Sequence, residues 1–248
     1  MNPLKEVLGR IFALWALICF VATMLLILLP TWLMGFLPEP KRTRWFIQLS
    51  RLWMGVFLPV AGVRLRITGK EHFEKGKNYV VVCNHNSFMD VPVTSPGIPG
   101  GNKTIAKIEM ARIPLFGIVY RRGSVLVDRK SEESRKKSYA YMKRVLEMGL
   151  HMCIYPEGTR NRTRQPLKEF KDGAFRLAVE TGKPIIPAVL FNTKKVLPQQ
   201  KAFYFWPGVV EMHFLPSVPT EQLKAEDVAG LKEQVFQTMW QFIESRTK

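Results

Sequence analysis

A chain of 248 residues, 47% of them hydrophobic, can bury one sizeable core, which excludes a disordered polymer. Its 37 Lys and Arg against 20 Asp and Glu give a formal net charge of +17, which attracts phosphate-bearing partners, either nucleic acid or an anionic membrane surface. The three cysteines, Cys19, Cys83 and Cys153, lie in apolar runs and form no C-x-x-C pair, so the pattern argues against a disulfide framework and a zinc site and fits a reducing, cytoplasmic setting.

Ile11 to Leu29 carries no charged residue, and at ~1.5 Å of rise per helical residue its length matches a bilayer core. The run is longer than the apolar part of a cleaved signal peptide, and it leads into Pro30, Trp32, Met34, Phe36 and Pro38 in place of a small-residue cleavage site. Basic residues flank it on both sides, Lys5 and Arg10 before, Lys41, Arg42, Arg44 and Arg51 after, which fits a hairpin with two cytoplasmic ends. Trp45 to Val60 then puts Trp45, Leu49, Leu52, Trp53, Val56 and Phe57 near helical spacing among Arg44, Gln48 and Arg51, the pattern of an interfacial helix. Residues 1–60 are therefore expected to form two membrane-anchoring helices resting in one leaflet, broken between Pro30 and Pro40. The competing readings are a single complete crossing and a helix pair buried in a soluble core.

From Gly62 short β-branched runs alternate with longer mixed segments, so residues 61–248 are expected to form an α/β domain, a mixed central sheet flanked by helices. Strands are predicted near Arg64 to Thr68, Tyr79 to Cys83, Thr104 to Ala106, Ser124 to Val127, Met152 to Tyr155, Ile185 to Leu190 and Val209 to Phe214. Helices are predicted over Ser131 to Met148, Ala174 to Thr181 and Thr220 to Arg246, the last opened by Thr220 as N-cap. Arg129 to Lys143 is basic, but Glu132 and Glu133 interrupt the charge, and Tyr139, Met142, Val145 and Leu146 supply an apolar face. That favours a solvated amphipathic helix over a nucleic-acid surface. The glycines of Ser95 to Gly101 miss the spacing of a phosphate-cradling loop.

The chemistry concentrates in Asn84-His85-Asn86-Ser87-Phe88-Met89-Asp90, at the end of an apolar strand, where side chains emerge from a rigid frame into a crevice. A histidine takes a proton from a hydroxyl as an acyl carbonyl is attacked, and a carboxylate on its other nitrogen fixes the tautomer and stabilises the imidazolium. Residues five apart on a regular helix lie ~140° apart around the axis. His85 is thus expected on a loop and Asp90 in the first helical turn, reaching back. Downstream, Tyr155-Pro156-Glu157-Gly158-Thr159-Arg160 reads as an anion site: Gly158 admits close approach of backbone, and Arg160 offers a planar donor fork suited to phosphate. Glu157 would repel a phosphate, so its carboxylate is expected to orient Arg160, Arg129 or a glycerol hydroxyl. Arg129 ends a strand where it reaches the same crevice or faces solvent. The cations Arg162, Arg164, Lys168 and Lys171 suit anionic headgroups or plain solvation.

Four stretches in this order resemble the glycerolphosphate acyltransferase superfamily, and within it the 1-acylglycerol-3-phosphate acyltransferases, over roughly Gly69 to Phe191. They are the His85 to Asp90 block, Gly123-Ser124-Val125-Leu126-Val127-Asp128-Arg129, Tyr155 to Arg160 with Tyr for the commoner initial Phe, and Ile185-Ile186-Pro187-Ala188-Val189-Leu190. The resemblance implies acyl transfer to a lysophospholipid, with His85 and Asp90 catalytic and Lys107, Gly123, Arg129, Glu157, Gly158, Thr159 and Arg160 binding substrate. It implies no bound cofactor and no metal, acyl-CoA or acyl-ACP as co-substrate, acyl carrier protein as an alternative carrier of the donor, and no nucleic acid. The protein is expected at an anionic membrane surface on the cytoplasmic face, the inner membrane if bacterial. Backbone N–H groups near Asn86 and Ser87 are expected to bind the oxyanion. Neither Ser87 nor a cysteine sits in a nucleophile arrangement, so transfer is expected to be direct. The alternatives are lyso-ornithine lipid or another lyso-lipid as acceptor, a catalytically silent lipid-binding scaffold, and a membrane-tethered nucleic-acid-binding protein.

Overall fold

The computed structural model describes residues 3–247. A long helix α1 (Pro3–Leu33) and a 3-10 turn (Met34–Phe36) lead to α2 (Lys41–Val60). After β1 (Val63–Thr68) and β2 (Val80–Cys83) come α3 (Asp90–Gly97), β3 (Asn102–Lys107), α4 (Phe116–Arg122), β4 (Ser124–Val127) and α5 (Glu132–Glu147). The chain closes with β5 (His151–Ile154), α6 (Gly173–Thr181), β6 (Ile185–Phe191), α7 (Thr193–Val196), β7 (Gly208–Phe214) and α8 (Val228–Thr247). The strands form one seven-stranded sheet in the order β1-β7-β6-β2-β5-β3-β4. Strands β6, β2, β5, β3 and β4 run parallel, while β7 pairs antiparallel with β6 and carries β1 parallel beside it. The expected mixed sheet is thus present, with each predicted strand found within two residues at either end.

Alternation along the strands builds two cores, because successive side chains point to opposite faces. Val81, Cys83, Cys153, Ile186, Ala188 and Met212 pack with α1 and α2 on one face. Val80, Val82, Met152, Ile154, Ile185 and Val189 pack with α5, α6 and α8 on the other. The β2 run is buried on both faces, which is why it reads as an unbroken apolar stretch.

The break between the N-terminal helices falls within the expected Pro30 to Pro40 interval, and the departure from expectation is the burial of α2. α1 continues a turn past Pro30, whose fixed φ is itself helical, and ends at Leu33 near Arg122, whose Nε donates to the Thr31 carbonyl at 3.3 Å. Among the described residues, Pro3–Phe36 is the one helical stretch long and apolar enough to cross a membrane. Its exposed face carries Leu14, Trp15, Ile18, Leu26 and Leu29, while Ala13, Ala16, Cys19 and Met24 face inward. α2 is not only interfacial: Phe46, Ile47, Trp53, Met54 and Phe57 are buried, while Trp45, Leu52 and Val56 remain exposed. Trp53 Nε1 donates to Thr23 Oγ1 at 2.9 Å, and Phe20 packs 5.2 Å from the Trp53 ring. Arg51 turns inward to the carbonyls of Pro96, Ile98 and Gly100. The last helix also begins later than predicted. Thr220 is buried with its hydroxyl bonded to the Ala178 carbonyl, and a 3-10 turn, Ala225–Asp227, precedes α8.

Candidate active site

Five parallel strands end along one edge of the sheet, so the segments following β2, β5, β3, β4 and β6 converge there, the usual place for a ligand crevice in α/β sheets. β2 hands over to the loop through Asn84, whose side chain continues the ladder: Nδ2 donates to the Leu190 carbonyl at 3.0 Å and Oδ1 accepts the Leu190 N–H at 2.7 Å. His85 follows on the loop, and Asp90 opens α3. The spacing resolves as expected, with His85 Nδ1 2.7 Å from Asp90 Oδ2. Asp90 is fully buried, and the same oxygen accepts the N–H groups of Asn86 at 2.5 Å and Ser87 at 2.7 Å. One carboxylate oxygen therefore shapes the loop and orients the imidazole, leaving Nε2 without a protein partner among the described residues.

The expected oxyanion site at the N–H groups of Asn86 and Ser87 is not available, because both already donate to Asp90. Ser87 Oγ donates to the Leu197 carbonyl at 2.7 Å, and Cys83 and Cys153 are sealed in the core with their sulfurs 3.9 Å apart. Neither is placed as a nucleophile.

Glu157 follows β5 and is almost wholly buried. It does not orient Arg160 or Arg129: Oε1 accepts the His85 N–H at 2.6 Å and Oε2 the Lys168 N–H at 3.0 Å. Burial pushes its carboxyl up to about 7, against the pull of these two bonds and of Lys194 and Lys168. Asn161 completes the clamp by donating its N–H to the His85 carbonyl at 2.7 Å. Thus both peptide groups of the histidine are pinned by the third motif and the residue that follows it, and its ring stacks on Tyr155 at 4.4 Å. Thr94 Oγ1 donates to the Asp90 carbonyl, which leaves the Tyr155 hydroxyl to donate to Thr94 Oγ1 at 2.5 Å.

Arg160 lies with its guanidinium 3.6 Å over the exposed Phe88 ring, joining the third motif to the first. Gly158, at φ +71, makes the turn that β5 needs before Arg160, and its carbonyl accepts Arg129 Nη1. Thr159 is exposed and accepts Lys168 Nζ at 2.7 Å. Lys107 is exposed at the end of β3, on the correct edge. Gly123 is not: it lies before β4, at the opposite edge of the sheet, where a Cβ would stand 2.7 Å from the Phe46 ring. Its smallness serves packing of α2. The roles of Asn84, Asn161 and the α7 segment carry no signature in the sequence because they run through backbone groups or lie outside the four motifs, and Tyr155 reads there only as a variant of the commoner Phe. Among the described residues there is no cluster of His, Cys, Asp and Glu suited to a metal ion.

An acyltransferase family model matches residues 64–190, which contain all of these contacts except those of the Leu197 segment and Phe46. The 1-acyl-sn-glycerol-3-phosphate acyltransferase alpha of Ovis aries is 33% identical over 180 residues, covering 72% of this chain and 62% of its own. The 1-acyl-sn-glycerol-3-phosphate acyltransferase of Borreliella burgdorferi is 32% identical over 146 residues, 58% of each chain. The chain spans about three-fifths of the length of these curated relatives. The crystal structure of the 1-acyl-sn-glycerophosphate acyltransferase PlsC from Thermotoga maritima shares the fold, with a TM-score of 0.79 at 21% identity over 100% of this chain and 98% of that one. By its ordered motifs, its α/β sheet and the family match across half its length, this chain belongs to the acyltransferase family.

Proposed function

We propose that the chain transfers a fatty acyl group from a thioester, acyl-CoA or acyl-ACP, to the sn-2 hydroxyl of 1-acylglycerol-3-phosphate, giving phosphatidate. The observation that carries this reading is the 2.7 Å contact between His85 Nδ1 and the buried Asp90, beside a rim of cations. With Nδ1 fixed by the carboxylate, Nε2 is the base that takes the proton of the acceptor hydroxyl. The hydroxyl oxygen bonds to the thioester carbon and the carbonyl pair moves onto its oxygen. On collapse the C–S bond breaks, and the leaving thiolate takes the proton back from His85. No covalent acyl-enzyme is needed. The names of the relatives point to lysophosphatidate as acceptor, and Arg160, Arg129 and Lys107 are the cations proposed to hold its phosphate.

Residues 1–60 form the anchoring unit in this reading, placing the site on the cytoplasmic face of a membrane where lyso-lipid arrives from the leaflet. The apolar exposed faces of α1 and α2 support it. The proposal is tested by mass spectrometry of products formed by the purified protein with lysophosphatidate and lyso-ornithine lipid in competition, using both acyl thioesters. Phosphatidate is the expected product. Acylation of lyso-ornithine lipid alone would replace the acceptor, and no acylated product from either would overturn the reading.

A further inference from the structure

Acyl transfer places a negative charge on the thioester oxygen, and preorganised donors for such a charge are a large part of catalysis. The N–H groups of Asn86 and Ser87 are bonded to Asp90, and that of His85 to Glu157. A donor must come from elsewhere. On the β5 side Arg160 lies on Phe88, Arg129 on the Gly158 carbonyl and Lys168 on Thr159, while Lys107, at the end of the adjacent β3, is exposed.

The other side of His85 is formed by β6, the hydrogen-bonded neighbour of β2, ~4.8 Å away. After Phe191 the chain turns through Asn192, at φ +66, into α7. This segment is fastened to the catalytic loop. Ser87 Oγ donates to the Leu197 carbonyl, Gln199 Nε2 donates to the Asn86 carbonyl and, at 3.3 Å, to that of Asn161, and Thr193 is fully buried. Lys194, in the first turn of α7, is half-buried and has no hydrogen bond or ion pair among the described residues. Burial lowers its pKa while the carboxylates of Glu157 and Asp90 pull the other way. Lys194 thus stands about one turn before the residues that bond to Ser87 and Asn86, on the segment tied to the loop that carries His85.

We propose that Lys194 is a catalytic residue whose ammonium group donates to the oxyanion of the tetrahedral intermediate from the β6 side. The inference rests on the acyl-transfer reading above. Lys194 keeps its proton throughout: the carbonyl pair moves onto oxygen against the ammonium as the new C–O bond forms, and returns as the C–S bond breaks and the thiolate recovers the proton from His85.

The test compares Lys194→Met, Lys194→Arg and the exposed neighbour Lys195→Met in acyl transfer to lysophosphatidate and in the slow hydrolysis of the acyl thioester without acceptor. For Lys194→Met, kcat is expected to fall about 10²- to 10³-fold, with KM for both substrates within about threefold and thermal stability unchanged. The acceptor-free hydrolysis falls by a similar factor, since water attack forms the same oxyanion. Lys194→Arg restores part of the rate, and Lys195→Met matches wild type. Unchanged kcat, a loss confined to KM for the acceptor, or hydrolysis retained while transfer is lost would overturn the inference while leaving the acyl-transfer reading intact. Wild-type protein that acylates no lyso-lipid would remove both.

Discussion

Glu157 is the residue whose replacement separates chemistry from architecture. Its two oxygens hold the N–H groups of His85 and Lys168, and a glutamine can accept only one of them with its oxygen while turning an amide N–H₂ toward the other. An orphaned buried donor costs about 1–3 kcal/mol. The charge term has the opposite sign. A carboxyl raised from 4.5 to about 7 binds its proton more tightly in the folded state, so its contribution is fully present below about 4.5 and is lost as pH rises through about 7. At about 1.4 kcal/mol per pKa unit, that loss is about 3 kcal/mol. Urea denaturation in detergent should therefore find the stability of Glu157→Gln relative to wild type rising by about 3 kcal/mol between about pH 4.5 and about pH 8. Activity should fall at every pH, by about 10- to 100-fold, because the His85 backbone loses its clamp. Parallel stability profiles for the two proteins, or wild-type turnover in Glu157→Gln, would refute the assignment.

Asp90→Ala leaves the N–H groups of Asn86 and Ser87 without their acceptor, so stability should fall by about 2–6 kcal/mol in the same denaturation assay. Arg160→Ala should raise KM for lysophosphatidate more than it lowers kcat, and a neutral lyso-acceptor should show no such rise in initial-rate assays. Gly158→Ala places a Cβ at φ +71, costing about 1–2 kcal/mol by thermal unfolding, and displaces Arg160 enough to raise the same KM.

The strands were legible because buried parallel strands leave continuous β-branched runs, and Val80–Cys83 and Ile185–Phe191 read that way directly. The pairing of His85 with Asp90 was legible because five residues spanning a loop and a first helical turn leave few geometries. Glu157 was misassigned because its partners are backbone N–H groups, which carry no side-chain signature. Gly123 was misplaced because motif membership says nothing about which end of a strand a residue occupies. α2 looked interfacial because Arg51 reads as a surface cation, whereas its guanidinium satisfies three carbonyls around the end of α3. Thr220 resembled an N-cap but is held by Ala178, so tertiary contact overrode local preference.

The most direct measurement is single-turnover acyl transfer to lysophosphatidate by purified His85→Ala and Asp90→Asn, each checked for an intact fold by thermal unfolding. Loss of the base should reduce the rate at least about 10³-fold, and the amide in place of the carboxylate by a comparable factor, since the imidazolium then has no charged partner. Turnover within about tenfold of wild type in either folded variant would contradict general-base catalysis by this pair.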